Sequence, residues 1–203
     1  MRSILIFILL IISFAPAQKP EVFLLEYDGV INPVATDVIR QSIDKTARAD
    51  GECLIIQLDT PGGLMKSMQK IVKDILASPV PVVVYIAPPG SRSGSAGVFI
   101  TYAAHVAAMA PGTNIGAAHP VNFGGGADSS ETLMEKITND AVASITSVAE
   151  KRGRNAEWAE KAVRESASIP ASEALELHVI DVLAPDVDSL LSYLNGRSYE
   201  VLN

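Results

Sequence analysis

Apolar runs of strand length alternate with stretches of helical periodicity along most of this chain. Glu21–Tyr27 (EVFLLEY) reads as a strand. Asp28-Gly29 then turns the chain toward a helix over about 34–49, with Asn32 as N-cap, Pro33 at N1 and Asp50-Gly51 ending it. Cys53–Leu58 (CLIIQL) is a short apolar run with β-branched residues, the pattern of a strand buried on both faces of a parallel sheet. Asp59–Gly63 leads into a helix over Leu64–Ala77, Ser78-Pro79 breaks it, and Val80–Ile86 (VPVVVYI) is a further buried strand.

After these two βα units the pattern tightens. Ala87–Gly94 (APPGSRSG) reads as a loop, and Ser95–His105 (SAGVFITYAAH) as a helix with small and apolar residues on nearly every side, hence buried. Short strands at Val106–Met109 and Thr113–Gly116 flank a Pro111-Gly112 turn. Val121–Ser130, with three consecutive glycines, reads as a mobile loop that could serve as a lid. A long helix follows over about Glu131–Arg152, closed by Gly153 at C′, with Asp128 or Ser129 as N-cap and a stripe of Leu133, Ile137, Ala141, Ile145 and Val148. Helices near 156–166 and 171–177, a strand over Val179–Leu183 and a helix near 186–195 complete an α/β fold, a largely parallel sheet covered by helices.

Composition narrows the chemistry. Of 203 residues 48% are hydrophobic and 19% charged, which predicts one compact domain or at most two small ones. The net charge of −7 disfavours nucleic acid as a partner. One cysteine, Cys53, excludes an internal disulfide and any multi-cysteine metal site, and its place in a strand marks a buried thiol. No His/Asp/Glu cluster has metal-ligand spacing, and no cofactor is expected. Arg2, the apolar Ile4–Ile12 and Ala15-Pro16-Ala17 form an export signal over residues 1–17, too short to span a bilayer as a helix. The expected location is extracytoplasmic, with residues 18–203 as the working domain.

Two loops each follow a buried strand and open a helix, where open α/β sheets bind ligands and free amides stabilise anions. In the first, Gly62-Gly63 either makes a tight turn or aims amides at a bound oxygen. In the second, Ser95 is either an N-cap or an unhindered nucleophile ahead of Ala96-Gly97. A serine needs a base. His105, His119 and His178 are available, each readable as structural. Lys136 lies on the edge of the long helix's apolar stripe, where partial burial would favour the neutral amine; it also reads as a snorkelling lysine paired with Asp140.

Four ordered motifs join these features: Pro88-Pro89-Gly90, Ser95-Ala96-Gly97, Ala108–Ala117 (AMAPGTNIGA) and Lys136-Ile137-Thr138-Asn139. In this order and spacing the chain resembles the protease domain of NfeD-type membrane-bound serine proteases, within the wider Clp protease/crotonase superfamily of repeated ββα-type units. The resemblance implies Ser95 as nucleophile, Lys136 as general base, and the amides of Gly63 and Ala96 as oxyanion donors, with Gly62 supporting the turn. It also implies hydrophobic segments of membrane-associated proteins as substrates, stomatin-like proteins as partners, and a homodimer or larger oligomer.

His119 competes with Lys136, because it follows Ser95 at close to the spacing of the histidine in the Clp peptidases, which use a Ser-His-Asp triad. Asp140 and Asp181 are the available third members. Ser91 and Ser93 lack the following Ala-Gly, and the strict G-x-S-x-G elbow is absent. Two other readings stand beside the endopeptidase: a catalytically silent exported scaffold binding a stomatin-like membrane protein, and a crotonase-type acyl-CoA enzyme.

Overall fold

The computed structural model describes residues 21–121 and 131–202. The expected export signal, the Val121–Ser130 loop beyond Val121, and both N-cap candidates Asp128 and Ser129 lie outside the described residues. In chain order the elements are β1 (Val22–Asp28), α1 (Pro33–Arg48), β2 (Cys53–Asp59), α2 (Met65–Leu76), β3 (Val82–Ile86), β4 (Arg92–Gly94), α3 (Ala96–Ala103) and β5 (Val106–Met109). There follow β6 (Asn114–Gly116), α4 (Glu131–Arg152), α5 (Ala156–Arg164), β7 (Ser168–Pro170), α6 (Ala171–Glu176), β8 (Val182–Leu183) and α7 (Val187–Leu194).

The main sheet has the order β1-β2-β3-β5-β8 and every pairing in it is parallel. A parallel sheet needs cover on both faces, and strand alternation supplies two apolar surfaces. Leu54, Ile56 and Leu58 of β2 enter the larger core, shared with α1 to α5. Cys53 and Ile55 enter a smaller one with Val83, Tyr85 and Leu190 of α7. Cys53 is buried there, and burial first, then the charge of Glu52, pushes its thiol pKa up to about 11.

Local chemistry explains the helix boundaries. Asn32 Oδ1 accepts the Ala35 N–H at 3.0 Å and Pro33 opens α1, as its residue types predict. Gly153, at φ +66°, closes α4. The α4 stripe is buried only toward its C-terminal end: Ala141, Ile145 and Val148 are in the core, whereas Leu133 is 48% exposed and Ile137 only partly covered.

Two departures from the sequence reading matter. The Ala87–Gly94 segment is not all loop, since its end forms β4, which joins β6 and β7 in a second sheet of order β4-β6-β7. Arg92–Gly94 holds no apolar residue and so leaves no strand signal. The strand expected over Val179–Leu183 shrinks to Val182–Leu183, because the N–H groups of Val179 and Ile180 turn back to the Ala174 carbonyl at the end of α6.

The C-terminal end of α3 is pinned by cations. Arg154 Nη1 donates to the carbonyls of Tyr102 and Ala104 at 2.8 and 2.9 Å, and its Nη2 donates to Asp181, which also accepts the Ala107 N–H at 2.7 Å. Arg152 Nε donates to the Ala103 carbonyl at 2.9 Å. Positive charge on terminal carbonyls satisfies orphan acceptors and complements the helix dipole.

Candidate active site

The turn after β2 is built by sterics. Thr60 Oγ1 accepts the Gly62 N–H at 3.0 Å, folding Pro61-Gly62 back on the strand end. Gly62 has φ +113°, and a Cβ there would sit 2.4 Å from Ser95 Cβ and 3.0 Å from its Oγ. A Cβ on Gly63 would lie 2.1 Å from the Ile31 carbonyl oxygen. Ile31 and Gly63 form a parallel bridge, with the Ile31 N–H donating to Gly62 C=O and the Leu64 N–H to Ile31 C=O, both at 2.8 Å. Glycine is therefore required at both positions. The Gly62 amide is committed to Thr60, so it is Gly63 whose N–H has no acceptor among the described residues.

Ser95 stands directly over that turn. Its backbone takes φ +51° and ψ −112°, and its N–H donates to Gly116 C=O at 3.0 Å. It occupies the N-cap position of α3 but makes no side-chain cap bond, so the hydroxyl is not spent on the helix. The turn from β4 into α3 is strained at Ser95 and lacks the G-x-S-x-G pattern. Small neighbours permit it: a Cβ on Gly94 would meet Pro61 O at 3.0 Å, and one on Gly97 would meet Ser93 Oγ at 2.6 Å. The Ala96 N–H, at the first position of α3, also has no acceptor among the described residues. Two unspent amides and two helix N-termini, those of α2 and α3, thus meet around one hydroxyl.

Ser91 and Ser93 are buried, and Ser93 Oγ is held 2.9 Å from Thr101 Oγ1. Neither presents a hydroxyl to a ligand. Ser95 and Ala96 open on an apolar pocket of about 150 Å³ whose wall includes Leu64, Met68, Phe99, Ala118 and Ala141. A cavity of about 790 Å³ lies on the other side of the main sheet, between Cys53 and residues 194–199. Its size is greater, but it holds none of the residues that converge on Ser95.

The base candidates fall out unequally. Lys136 is exposed, not partly buried as the helical stripe suggests, and it does not line the pocket. It precedes Ala141, which does, by five residues: about 7.5 Å along the helix axis and roughly 140° around it. The pairing with Asp140 is also not formed among the described residues. His119 lies between Ala118 and Pro120, two pocket residues, with Nδ1 2.9 Å from the Val163 carbonyl. A carbonyl only accepts, so Nδ1 carries a proton, and in the neutral ring the lone pair lies on Nε2. Neither suggested acid supports His119: Asp181 is engaged by Arg154 at the far end of α3, and Asp140 is exposed. His105 is structural, with Nδ1 accepting the Val82 N–H at 3.1 Å, and burial reinforced by Arg152 pulls its pKa down to about 4. His178 is exposed on a turn.

Thr60 and Gly116, which shape the turn and hold Ser95, were not singled out from sequence. The signal for Thr60 was its position two residues before Gly62, where a hydroxyl reaches back to the backbone. Among the described residues, no helix is long and apolar enough to cross a membrane.

The chain is 37% identical over 206 residues, 99% of its length, to the membrane-bound protease PH1510 of Pyrococcus horikoshii. It spans about half of that relative, 46% of its length. Among solved structures it superposes with TM-score 0.83 on a Ser-to-Ala variant of the 1510-N membrane-bound stomatin-specific protease, at 36% identity, covering 92% of this chain and 94% of the other. With the Lys-to-Ala variant, in complex with a substrate peptide, the TM-score is 0.80 at 37% identity, covering 91% and 88%. ClpP1 from Listeria monocytogenes, at 19% identity and TM-score 0.65 over 82% of this chain and 94% of that one, shares the Clp protease-like fold. The model of the NfeD1b N-terminal domain matches residues 21–197, and the chain belongs to that family.

Proposed function

We propose that this domain is a serine endopeptidase in which Ser95 is the nucleophile, Lys136 the general base, and the Gly63 and Ala96 amides the oxyanion hole. The observation that carries the reading is the Ser95 elbow: an uncapped hydroxyl at φ +51° over two unspent amides, at the mouth of an apolar pocket. The serine and lysine substituted in the two solved variants of the Pyrococcus protease lie 41 positions apart, the separation of Ser95 and Lys136 here.

The chemistry follows from these parts. A neutral amine takes the Ser95 proton as Oγ bonds to the carbonyl carbon of the peptide. The carbonyl oxygen becomes an oxyanion held by the Gly63 and Ala96 N–H groups, which require no reorganisation as charge develops. The C–N bond then breaks, the ammonium returns its proton to the leaving amine, and water hydrolyses the acyl-serine. For Lys136 to act, the first turns of α4 must bring it from solvent to the pocket.

The substrate is an apolar segment of a membrane protein of the stomatin type, a reading supported by the pocket wall and by the specificity named for the Pyrococcus relative. The domain works on the exported side of the membrane. A second reading makes His119 the base, favoured by its place between two pocket residues and the Nε2 lone pair of its neutral ring.

Residues 18–203 are incubated with long aliphatic peptides, beside Ser95→Ala, Lys136→Ala and His119→Ala, with products read by mass spectrometry. Ser95→Ala and Lys136→Ala are expected to lose about 10⁴-fold or more in rate, as nucleophile and base act as one unit. Their thermal unfolding should be unchanged. Loss with His119→Ala and retention with Lys136→Ala would move the base to the histidine. A folded wild type that cuts nothing would favour the silent scaffold.

A further inference from the structure

The pocket at Ser95 is small. At about 150 Å³ it is the size of a cavity that holds one benzene, room for one side chain of a substrate. Recognition of an apolar stretch, as against one apolar residue, requires surface beyond it. Leu64 lines the pocket and is still 49% exposed. Its N–H donates to the carbonyl of Ile31, and Ile31 is bridged to Gly63, so the segment that carries Val30 and Val34 runs beside Gly63-Leu64. Val30 is 52% exposed and Val34 66%. The rest of the solvent face of α1 is polar, with Asp37, Arg40, Gln41 and Asp44 exposed. Between Val30 and the end of α1, the exposed aliphatic residues are thus only Val30 and Val34, at the end that bonds to the Gly63-Leu64 turn.

The presentation is rigid. Tyr27 Oη donates to the Val30 carbonyl at 2.7 Å, the Asn32 side chain caps α1 beside Val34, and Ile31 between them is fully buried in its bridge with Gly63. Single exposed aliphatics are ordinary, but a contiguous, clamped group running on from a pocket marks a binding surface.

We propose that Val30 and Val34, continuous with Leu64, form an aliphatic exosite that binds substrate residues outside the scissile bond, so that the enzyme selects a run of aliphatic residues. The inference rests on the endopeptidase reading for its biological meaning. Its test does not depend on cleavage.

A fluorescent peptide with aliphatic residues along its whole length, and a short peptide reaching only the bond's immediate neighbours, are titrated by anisotropy. The protein is Ser95→Ala, with and without Val30→Ser and Val34→Ser together. Loss of contact with two valines is expected to weaken the long peptide about 5- to 30-fold and the short one less than 2-fold. In the catalytically intact chain the same pair should raise KM for the long peptide and leave kcat unchanged. Both side chains are exposed, so the unfolding temperature should stay within a few degrees of wild type. Equal losses on both peptides, or none on either, overturn the proposal. So does a change of oligomeric state in sedimentation velocity, which would make the patch a contact between copies. Weakened binding of the long peptide in a wild type that cuts nothing would keep the exosite and discard the peptidase.

Discussion

Helices α3 and α4 carry the two groups proposed to react, and they are held in opposite ways. At its N-terminal end, under Ser95, α3 is locked by Gly62, Gly94 and Gly97, none of which can take a Cβ without a close contact. At its C-terminal end Arg152 and Arg154 hold its last carbonyls. By contrast the first two turns of α4 are little covered among the described residues, with Leu133 half exposed and Lys136 exposed, and burial begins at Thr138 and continues through Val142, Ile145 and Ala149. Oxyanion stabilisation gains from donors that do not move. A lysine base must meet the nucleophile, which requires Lys136 to leave the exposed position it holds here.

The strongest way to break this contrast is at the turn. Gly63→Ala would drive a Cβ to 2.1 Å from the Ile31 carbonyl oxygen, so the turn must shift and carry the donor with it. Loss of one oxyanion donor costs about 10²–10³ in kcat. The expectation is a loss of at least that size, with a lowered unfolding temperature, read by peptide cleavage beside calorimetry. Activity retained within 10-fold would show that the Gly63 amide is not a donor.

The other end of α3 gives an asymmetric pair of substitutions. Arg154 is 2% exposed as a side chain and Asp181 32%. Asp181→Ala leaves a guanidinium charge buried, at a cost of about 3–5 kcal/mol. Arg154→Met leaves a carboxylate that water can reach, and the expected cost is about 1–3 kcal/mol. Urea unfolding measures both, and equal values would mean that the buried charge does not dominate.

A smaller test lies within α4 itself. Ile145 is fully buried, so Ile145→Ala should cost about 2–5 kcal/mol. Leu133→Ala, at a half-exposed position, should stay within about 0.5 kcal/mol. Hydrogen exchange should likewise be faster over the first two turns than over the last three. Uniform protection along α4 would remove the difference in anchoring.

The sequence made the βα alternation legible because each strand of the main sheet is a short apolar run, and caps such as Asn32 and Gly153 act through local bonds. Ser95 and the Pro-Gly-Gly turn were visible as candidates, but not as a pair, since only the folded chain puts Gly62 under the Ser95 side chain. Strands β4 and β7 were not read, because Arg-Ser-Gly and Ser-Ile-Pro have the composition of loops, whereas β6, no longer, was read beside the Pro111-Gly112 turn. The burial of Lys136 was misread because a helical stripe says which face is apolar, not how far along the helix a partner covers it.

The subtlest difference concerns pH. His105, just past the end of α3, accepts the Val82 N–H on Nδ1, and burial with the nearby arginine charges lowers its pKa to about 4, against ~6.5 in an unfolded chain. Between those values the unfolded chain takes up a proton that the folded one refuses, so stability rises with pH through the window. The contribution is complete above about pH 6.5 and is lost progressively toward pH 4. His105→Asn places an amide oxygen where Nδ1 accepts, and removes the titration. Urea midpoints should fall from about pH 7 to about pH 5 in wild type and fall less in His105→Asn; identical slopes would assign the effect to carboxylates elsewhere. Acid should also lower the exchange protection of α3 toward that of the first turns of α4. The two helices differ least where His105 is charged.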